Sequence, residues 1–292
     1  MLARSLAIVL LCAVPASAEK PKEAKHKPVR VLLVAGHPSL EYQFVRTLLV
    51  RETDKKRAEL SIYLQAATGE APRTDVDQAV PPERLLAGFP DLAIYDVIVT
   101  FDADWSRLSA EQQKLLRQWV EKGGGLIVVA GPLHTSQLAA PASAEKLKLV
   151  NDLLPVNVAD SRLMLERKTE HPFRLTFVEG KTDVPFLKLG DDADKPLAFW
   201  DAYFGAEKEA TRGFYSCYPV KSIKPTATVY ARFGDTSLKM NDGGATPYLV
   251  TMPVARGRTA YLGSGEMWRL RRFDERLHER FWNGLIAYVL AK

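Results

Sequence analysis

The run Gly123-Gly124-Gly125-Leu126-Ile127-Val128-Val129-Ala130-Gly131, followed by Pro132-Leu133-His134, constrains the fold of this chain more than any other stretch. It is short, continuously apolar and bounded by glycine, which fits a strand buried on both faces. Such strands belong to parallel sheets covered by helices on either side. The run also limits the chemistry, because neither Cys nor Ser stands at the turn that follows it.

The preceding residues repeat the pattern. Residues 29–35 form an apolar run closed by Gly36-His37-Pro38-Ser39, and Leu40, Phe44, Val45, Leu48 and Leu49 then follow at helical spacing. Leu60, Ile62 and Leu64 alternate as a second strand within 59–65, whereas 66–89, rich in Pro, Asp and Gly, is expected to be a long surface excursion. A third strand is expected at 96–101. Ser109-Ala110-Glu111-Gln112 reads as a capping box opening a helix, with Leu115, Leu116, Trp119 and Val120 inward and Gly123 at its end. Strand and helix in alternation predict an α/β fold with a doubly wound, mostly parallel sheet. Beyond Ser161 the pattern loosens into strand-like pieces such as 173–178 and 226–233, a β-rich elaboration on the same core extending to Asp235. Residues 248–252 and 259–263 flank a hairpin-like turn at Ala255-Arg256-Gly257-Arg258, and a helix with Leu277, Phe281, Leu285 and Tyr288 inward closes the chain from about Asp274.

The first 18 residues carry Arg4, an apolar stretch over 6–14 and Ala16-Ser17-Ala18, the three-part pattern of a signal peptide cleaved before Glu19. Retention as an uncleaved anchor is the alternative; Cys12 follows Leu11, where lipid attachment needs a small residue. The expected organisation is a signal peptide at 1–18, a basic linker at 19–28 and one domain at 29–292. No later apolar run approaches the roughly 18 residues of a membrane span, so the mature chain is expected to be soluble and periplasmic or secreted. Lys20, Lys22, Lys25 and Lys27 crowd the linker, where contact with an anionic membrane surface competes with simple solvation. A formal net charge of +5 is only mildly basic, and no basic face interleaved with aromatics argues for nucleic acid. After the signal Cys217 stands alone, between Tyr215 and Tyr218, and reads as a buried small hydrophobe.

Several motifs together carry a resemblance: Arg30-Val31-Leu32-Leu33-Val34-Ala35-Gly36 with Glu41-Tyr42-Gln43-Phe44; Tyr218-Pro219-Val220 with Lys224-Pro225; Gly257-Arg258-Thr259-Ala260-Tyr261-Leu262-Gly263; and Glu266-Met267-Trp268-Arg269 followed by His278-Glu279-Arg280-Phe281-Trp282. Across nearly the whole mature length, the chain resembles bacterial glutamine amidotransferase-like proteins, which implies a flavodoxin-like fold. True class I amidotransferases use a Cys in a Gly-x-Cys-x-Gly turn and a His-x-Glu pair. Here the turn is Gly131-Pro132-Leu133-His134 and no His lies near Glu266, so the resemblance implies a catalytically degenerate member, a pseudoenzyme that does not hydrolyse glutamine. A weaker likeness is to the trehalose-utilisation-like family, in which a Gly-Gly-Gly strand also leads to a His.

Ligands in open parallel sheets bind beyond the carboxyl ends of the strands. That rule selects His37, Asp102, Asp104, His134 and Glu266 as candidate ligand-binding residues. Imidazoles and carboxylates suit a metal or acid–base chemistry, but no His-x-x-x-His spacing ties these together, and turn-forming or capping roles compete. Catalytic residues, metal and cofactor are therefore not expected. Trp268, Arg269, Arg271 and Arg272 are candidate contacts for an acidic protein partner, or pair with Asp274 and Glu275. His278 and Trp282, four apart on one helix face, read as a packed pair. The expected function is binding of a protein or small ligand; the alternative is an enzyme of other chemistry, such as a metal-assisted hydrolase or a carbohydrate-processing protein.

Overall fold

The computed structural model describes residues 27–65, 92–166, 171–191, 197–205, 212–235 and 237–290. The signal peptide, nearly all of the basic linker and the excursion expected at 66–89 lie outside the described residues. The chain enters at strand β1 (Val29–Ala35), continues through helix α1 (Leu40–Asp54) to β2 (Ala58–Leu64), then through β3 (Val97–Phe101) and helix α2 (Ala110–Glu121) to β4 (Gly125–Val129). The capping box at Ser109 and Gln112 forms as the sequence predicts, and Gly123, at φ +119°, turns the chain from α2 into β4. Short helices α3 (Pro141–Ala144) and α4 (Lys148–Leu153) lead to β5 (Val156–Val158), β6 (Leu165–Glu166) and β7 (Leu175–Phe177). Helix α5 (Ala198–Phe204) precedes β8 (Ser216–Cys217), β9 (Val220–Ile223), β10 (Thr228–Phe233), β11 (Pro247–Val254), β12 (Gly257–Leu262) and helix α6 (Glu275–Leu290).

The main sheet runs β2-β1-β3-β4-β12-β11-β10-β7. Its first five strands are mutually parallel, so their carboxyl ends share one edge. The remaining three continue it antiparallel from β12. Alternation along the strands divides the core in two. Val31, Leu33, Val97 and Val99 pack with Val45, Leu48, Phe281 and Leu285 under α1 and α6, while Leu32, Ile98 and Leu126 pack with Leu116, Trp119, Val150 and Leu153 under α2 and α4. Both faces are thus covered, as their continuous hydrophobicity requires.

The elaboration expected at 161–235 shares the main core, as its sequence implies. β7 and β10 extend the main sheet, and only β5 with β9 and β6 with β8 form small sheets of their own. Helix α5 was not legible. Its Phe199, Trp200, Tyr203 and Phe204 are weak helix formers, but all four are buried in the aromatic layer beside Phe214 and Phe233, so packing overrides propensity. The β11–β12 turn is tighter than expected, with Ala255 at φ +51° and Gly257 already paired to Val254. Among the described residues no helix is long and apolar enough to cross a membrane.

Candidate functional site

The ladder between parallel strands persists to their carboxyl ends, where Gly36 N–H donates to Phe101 O at 3.0 Å and Asp102 N–H to Val129 O at 2.9 Å. Immediately beyond, Asp102 adopts φ +45°, a left-handed conformation that Asp tolerates better than most residues. This turns its carboxylate onto the loop after β4. Oδ2 accepts from Leu133 N at 2.7 Å, and Oδ1 from His134 N and Thr135 N, each at 2.9 Å, and from Thr135 Oγ1 at 3.0 Å. The loop after β4 is therefore fastened by a buried carboxylate from the neighbouring strand. Close approach demands glycine here. A Cβ on Gly36 would stand 2.1 Å from Asp102 O and 2.6 Å from His134 Cδ2, and one on Gly131 would stand 2.5 Å from Asp102 Cβ.

Asp102 thus gathers His37 and His134. His37 Nδ1 lies 3.8 Å from Asp102 Oδ2 and, though buried, makes no hydrogen bond among the described residues. His134 is half-buried, with Nδ1 3.4 Å from Gln137 Nε2. The same Gln137 nitrogen donates to Asp104 Oδ1 at 2.9 Å. Asp104 caps the short 3-10 turn Trp105–Arg107 by accepting from Ser106 N at 3.2 Å, and it also accepts from Ser106 Oγ at 2.5 Å and Arg107 Nε at 3.1 Å. Burial pushes its pKa up, but the donors Ser106, Gln137 and Arg107 outweigh burial and hold it below the usual carboxylate value.

Glu266 belongs to a different set. Its carboxylate is largely buried; Oε2 accepts from Tyr215 N at 2.6 Å, Ser216 N at 2.7 Å and Ser216 Oγ at 3.0 Å, while Oε1 takes Arg269 Nε at 2.8 Å and Nη2 at 2.6 Å. No hydrogen bond or ion pair among the described residues joins this set to His37, Asp102 or His134. Nor is any group of three or more His, Cys, Asp or Glu side chains among them placed to hold a metal ion.

The candidate partner contacts lie on the 3-10 segment Met267–Arg272. Trp268 stacks on Phe44 with ring centroids 6.3 Å apart and carries the guanidinium carbons of Arg269 and Arg272 at 4.6 and 5.3 Å from its own centroid. Arg271 pairs with Glu275 at 2.9 Å, whereas Asp274 pairs instead with Arg276 at 2.6 Å.

Sequence reasoning missed the carboxylate that organises this region. Glu41, 1% exposed in the first turn of α1, accepts from Trp268 N at 2.9 Å through Oε2; through Oε1 it meets His278 Nε2 and Trp282 Nε1, each at 2.8 Å. His278 and Trp282 are therefore not merely a packed pair but share one buried acceptor. The available signal was that Glu41, Trp268, His278 and Trp282 all fall within the motifs that carry the family resemblance.

Cys217 is fully buried, and burial, reinforced by the nearby Glu266 charge, pushes its thiol pKa well up. The native protein is therefore expected to leave Cys217 unlabelled by iodoacetamide at pH 8, with full labelling only on unfolding; rapid native labelling, read by intact mass, would contradict its burial.

No family model matches the chain, and no curated protein matches it. Among solved structures it is similar to a cytoplasmic protein of Salmonella typhimurium, at 14% identity and TM-score 0.55 over 90% of this chain and 100% of that one. A second cytoplasmic protein, of Salmonella typhimurium LT2, is similar at 12% identity and TM-score 0.54, over 89% of this chain and 99% of that one. A ThuA-like protein of Parabacteroides merdae aligns at 11% identity and TM-score 0.45, over 91% of this chain and 93% of that one. The first two likenesses bear on the fold alone.

Proposed function

We propose that this chain is an exported, non-catalytic domain of glutamine amidotransferase-like, flavodoxin-like architecture that acts by binding a protein or small ligand. The observation that carries this reading is the occupation of the strand-end carboxylates by the chain's own donors. Asp102 is held by three backbone N–H groups and a hydroxyl, Asp104 by Ser106, Gln137 and Arg107, and Glu266 by two backbone N–H groups, Ser216 and Arg269. Carboxylate oxygens engaged in this way hold the surrounding loops, which supports an architectural role over that of a general base or metal ligand. The turn after β4 offers no thiol, and Cys217 lies buried with a raised pKa.

The competing reading, a metal-assisted hydrolase or carbohydrate-processing enzyme, draws on the unpartnered His37 Nδ1 beside Asp102 and on His134. Calorimetric titration with zinc and manganese separates the two. The binding-domain reading expects no stoichiometric metal uptake and no ammonia from glutamine. Tight uptake lost in His134→Ala favours the metal enzyme, and glutaminase activity abolished by Cys217→Ser would make that thiol a relocated nucleophile.

A further inference from the structure

A pocket of about 280 Å³ opens beside the Glu266–Arg269 pair, and its lining includes no residue of the Asp102 loop. Its wall combines Arg212, Arg269 and Arg272 with the rings of Tyr203, Tyr215 and Phe273. The arginines are not equivalent. Arg269 is committed through two N–H groups to Glu266 and lies 4.4 Å from the Tyr215 ring centroid, so it forms a fixed cationic floor. Arg212 and Arg272 are exposed and pair with no carboxylate among the described residues. Arg212 instead sits 5.0 Å over Phe273, and Arg272 lies over Trp268. Guanidinium groups laid on aromatic faces keep their in-plane N–H donors available, the geometry suited to gripping a carboxylate or phosphate.

The aromatic side of the pocket is equally particular. Tyr203 is buried at the end of α5 and meets Phe273 edge-on at 6.5 Å, while Phe273 itself is 48% exposed. The half-exposed Phe273 ring beside guanidinium groups that pair with no carboxylate among the described residues offers complementary contacts to one molecule with a flat apolar body and an anionic end. A cavity of this size lies at the lower end of small-molecule sites and suits a single ring. Gly213 lines the pocket where the chain runs against its neighbour, since a Cβ there would stand 2.5 Å from Phe173 O.

We propose that this pocket binds a small aromatic anion, its phosphate or carboxylate held by Arg212 and Arg272 above Arg269 and its ring set against Phe273 and the tyrosines. The inference rests on the binding-domain reading and gives it a ligand class. Its own test uses phenyl phosphate and benzoate as probes, with phenol and inorganic phosphate as the separated halves, titrated calorimetrically into the full-length mature protein. One or both aromatic anions should bind with 1:1 stoichiometry, and the preferred one identifies the head group. Phenol and inorganic phosphate should each bind about tenfold more weakly or worse. Arg212→Gln and Arg272→Gln should each weaken the aromatic anion by about tenfold at unchanged melting temperature, while Lys239→Gln, which removes an equal charge from an exposed position elsewhere, leaves it unaltered. Equal affinity of Arg212→Gln and the wild type, phenol binding as well as phenyl phosphate, or no uptake of either aromatic anion at millimolar concentration would each overturn the proposal. The two readings fail separately: metal uptake lost in His134→Ala sinks the binding-domain reading without involving Arg212, whereas failure at the pocket leaves the strand-end carboxylates as occupied as before.

Discussion

Replacing Asp102 with Ala is expected to cost about 3–5 kcal/mol of folding stability, a large fraction of what a domain of this kind has to lose. The carboxylate is 3% exposed and is the acceptor for the backbone N–H groups of Leu133, His134 and Thr135. Alanine would leave the buried Thr135 N–H and the part-buried Leu133 and His134 N–H groups without their acceptor; a buried donor so stranded costs about 1–3 kcal/mol, and the part-buried ones cost less because water can reach them. A second contribution comes from the backbone. Asp102 holds φ +45°, where alanine is disfavoured by about 1–2 kcal/mol. The two contributions separate in a series: Asp102→Gly relieves the backbone but not the donors and should be less damaging than Ala by about 1 kcal/mol. Asp102→Asn tolerates the left-handed conformation and keeps one acceptor oxygen, but its amide nitrogen must face a backbone N–H, so it should fall between wild type and Gly. Urea unfolding at constant m-value reads the order. An Ala variant within about 0.5 kcal/mol of wild type, the spread of ordinary surface substitutions, would show that the loop after β4 holds itself without Asp102.

That dependence bears on what a sequence can reveal about such a site. The strands around Asp102 were legible because each announces itself locally: period, length and a bounding glycine identify Val29–Ala35 and Gly125–Val129 without knowledge of any partner. From parallel strands it follows that His37, Asp102 and His134 share an edge, and Gly36 and Gly131 bring them into contact. What each carboxylate does there was not legible. Asp102 reads as a turn residue until its contacts 31–33 positions away are seen, and Glu266 reads as a candidate ligand until its oxygens prove taken by Tyr215 and Ser216, about 50 residues earlier. The antiparallel addition of β7 and β10 was hidden for a related reason. The strand-like pieces at 173–178 and 226–233 were readable, but the pairing of Leu175–Phe177 with Ala231–Phe233 is specified by neighbours distant in the chain. The arginine-lined pocket draws its wall from α5, the segment before β8 and the Met267–Arg272 turn, so no single window of sequence contains it.

Glu41 is the extreme of this non-locality, and the second large effect is expected there. In sequence it is an acidic residue in the first turn of a helix, ordinarily a solvated position favoured by the helix dipole. In the fold its partners lie 227, 237 and 241 residues away, and through them one carboxylate fastens α1 to the Met267–Arg272 turn and to α6. Glu41→Ala should therefore destabilise by about 3–5 kcal/mol, because the Trp268 N–H, the Trp282 indole N–H and the His278 ring lose their shared acceptor in a site closed to water. Glu41→Gln is nearly isosteric, but its single oxygen can serve either the Trp268 side or the His278–Trp282 side, so an intermediate loss is expected. His278→Ala removes one of the three partners and should cost less than Glu41→Ala. A double-mutant cycle between Glu41 and His278 should return a coupling of about 1–3 kcal/mol, against nearly zero for Glu41 with Lys239, which lies outside the network. Additive losses at Glu41 and His278 would mean that the 2.8 Å contact contributes little and that Glu41 acts chiefly through the two tryptophans. Because Trp268 also carries Arg269 and Arg272 on its ring, a folded Glu41→Gln variant should weaken the proposed aromatic-anion pocket as well, while substitutions at Asp102 that still fold should leave it intact.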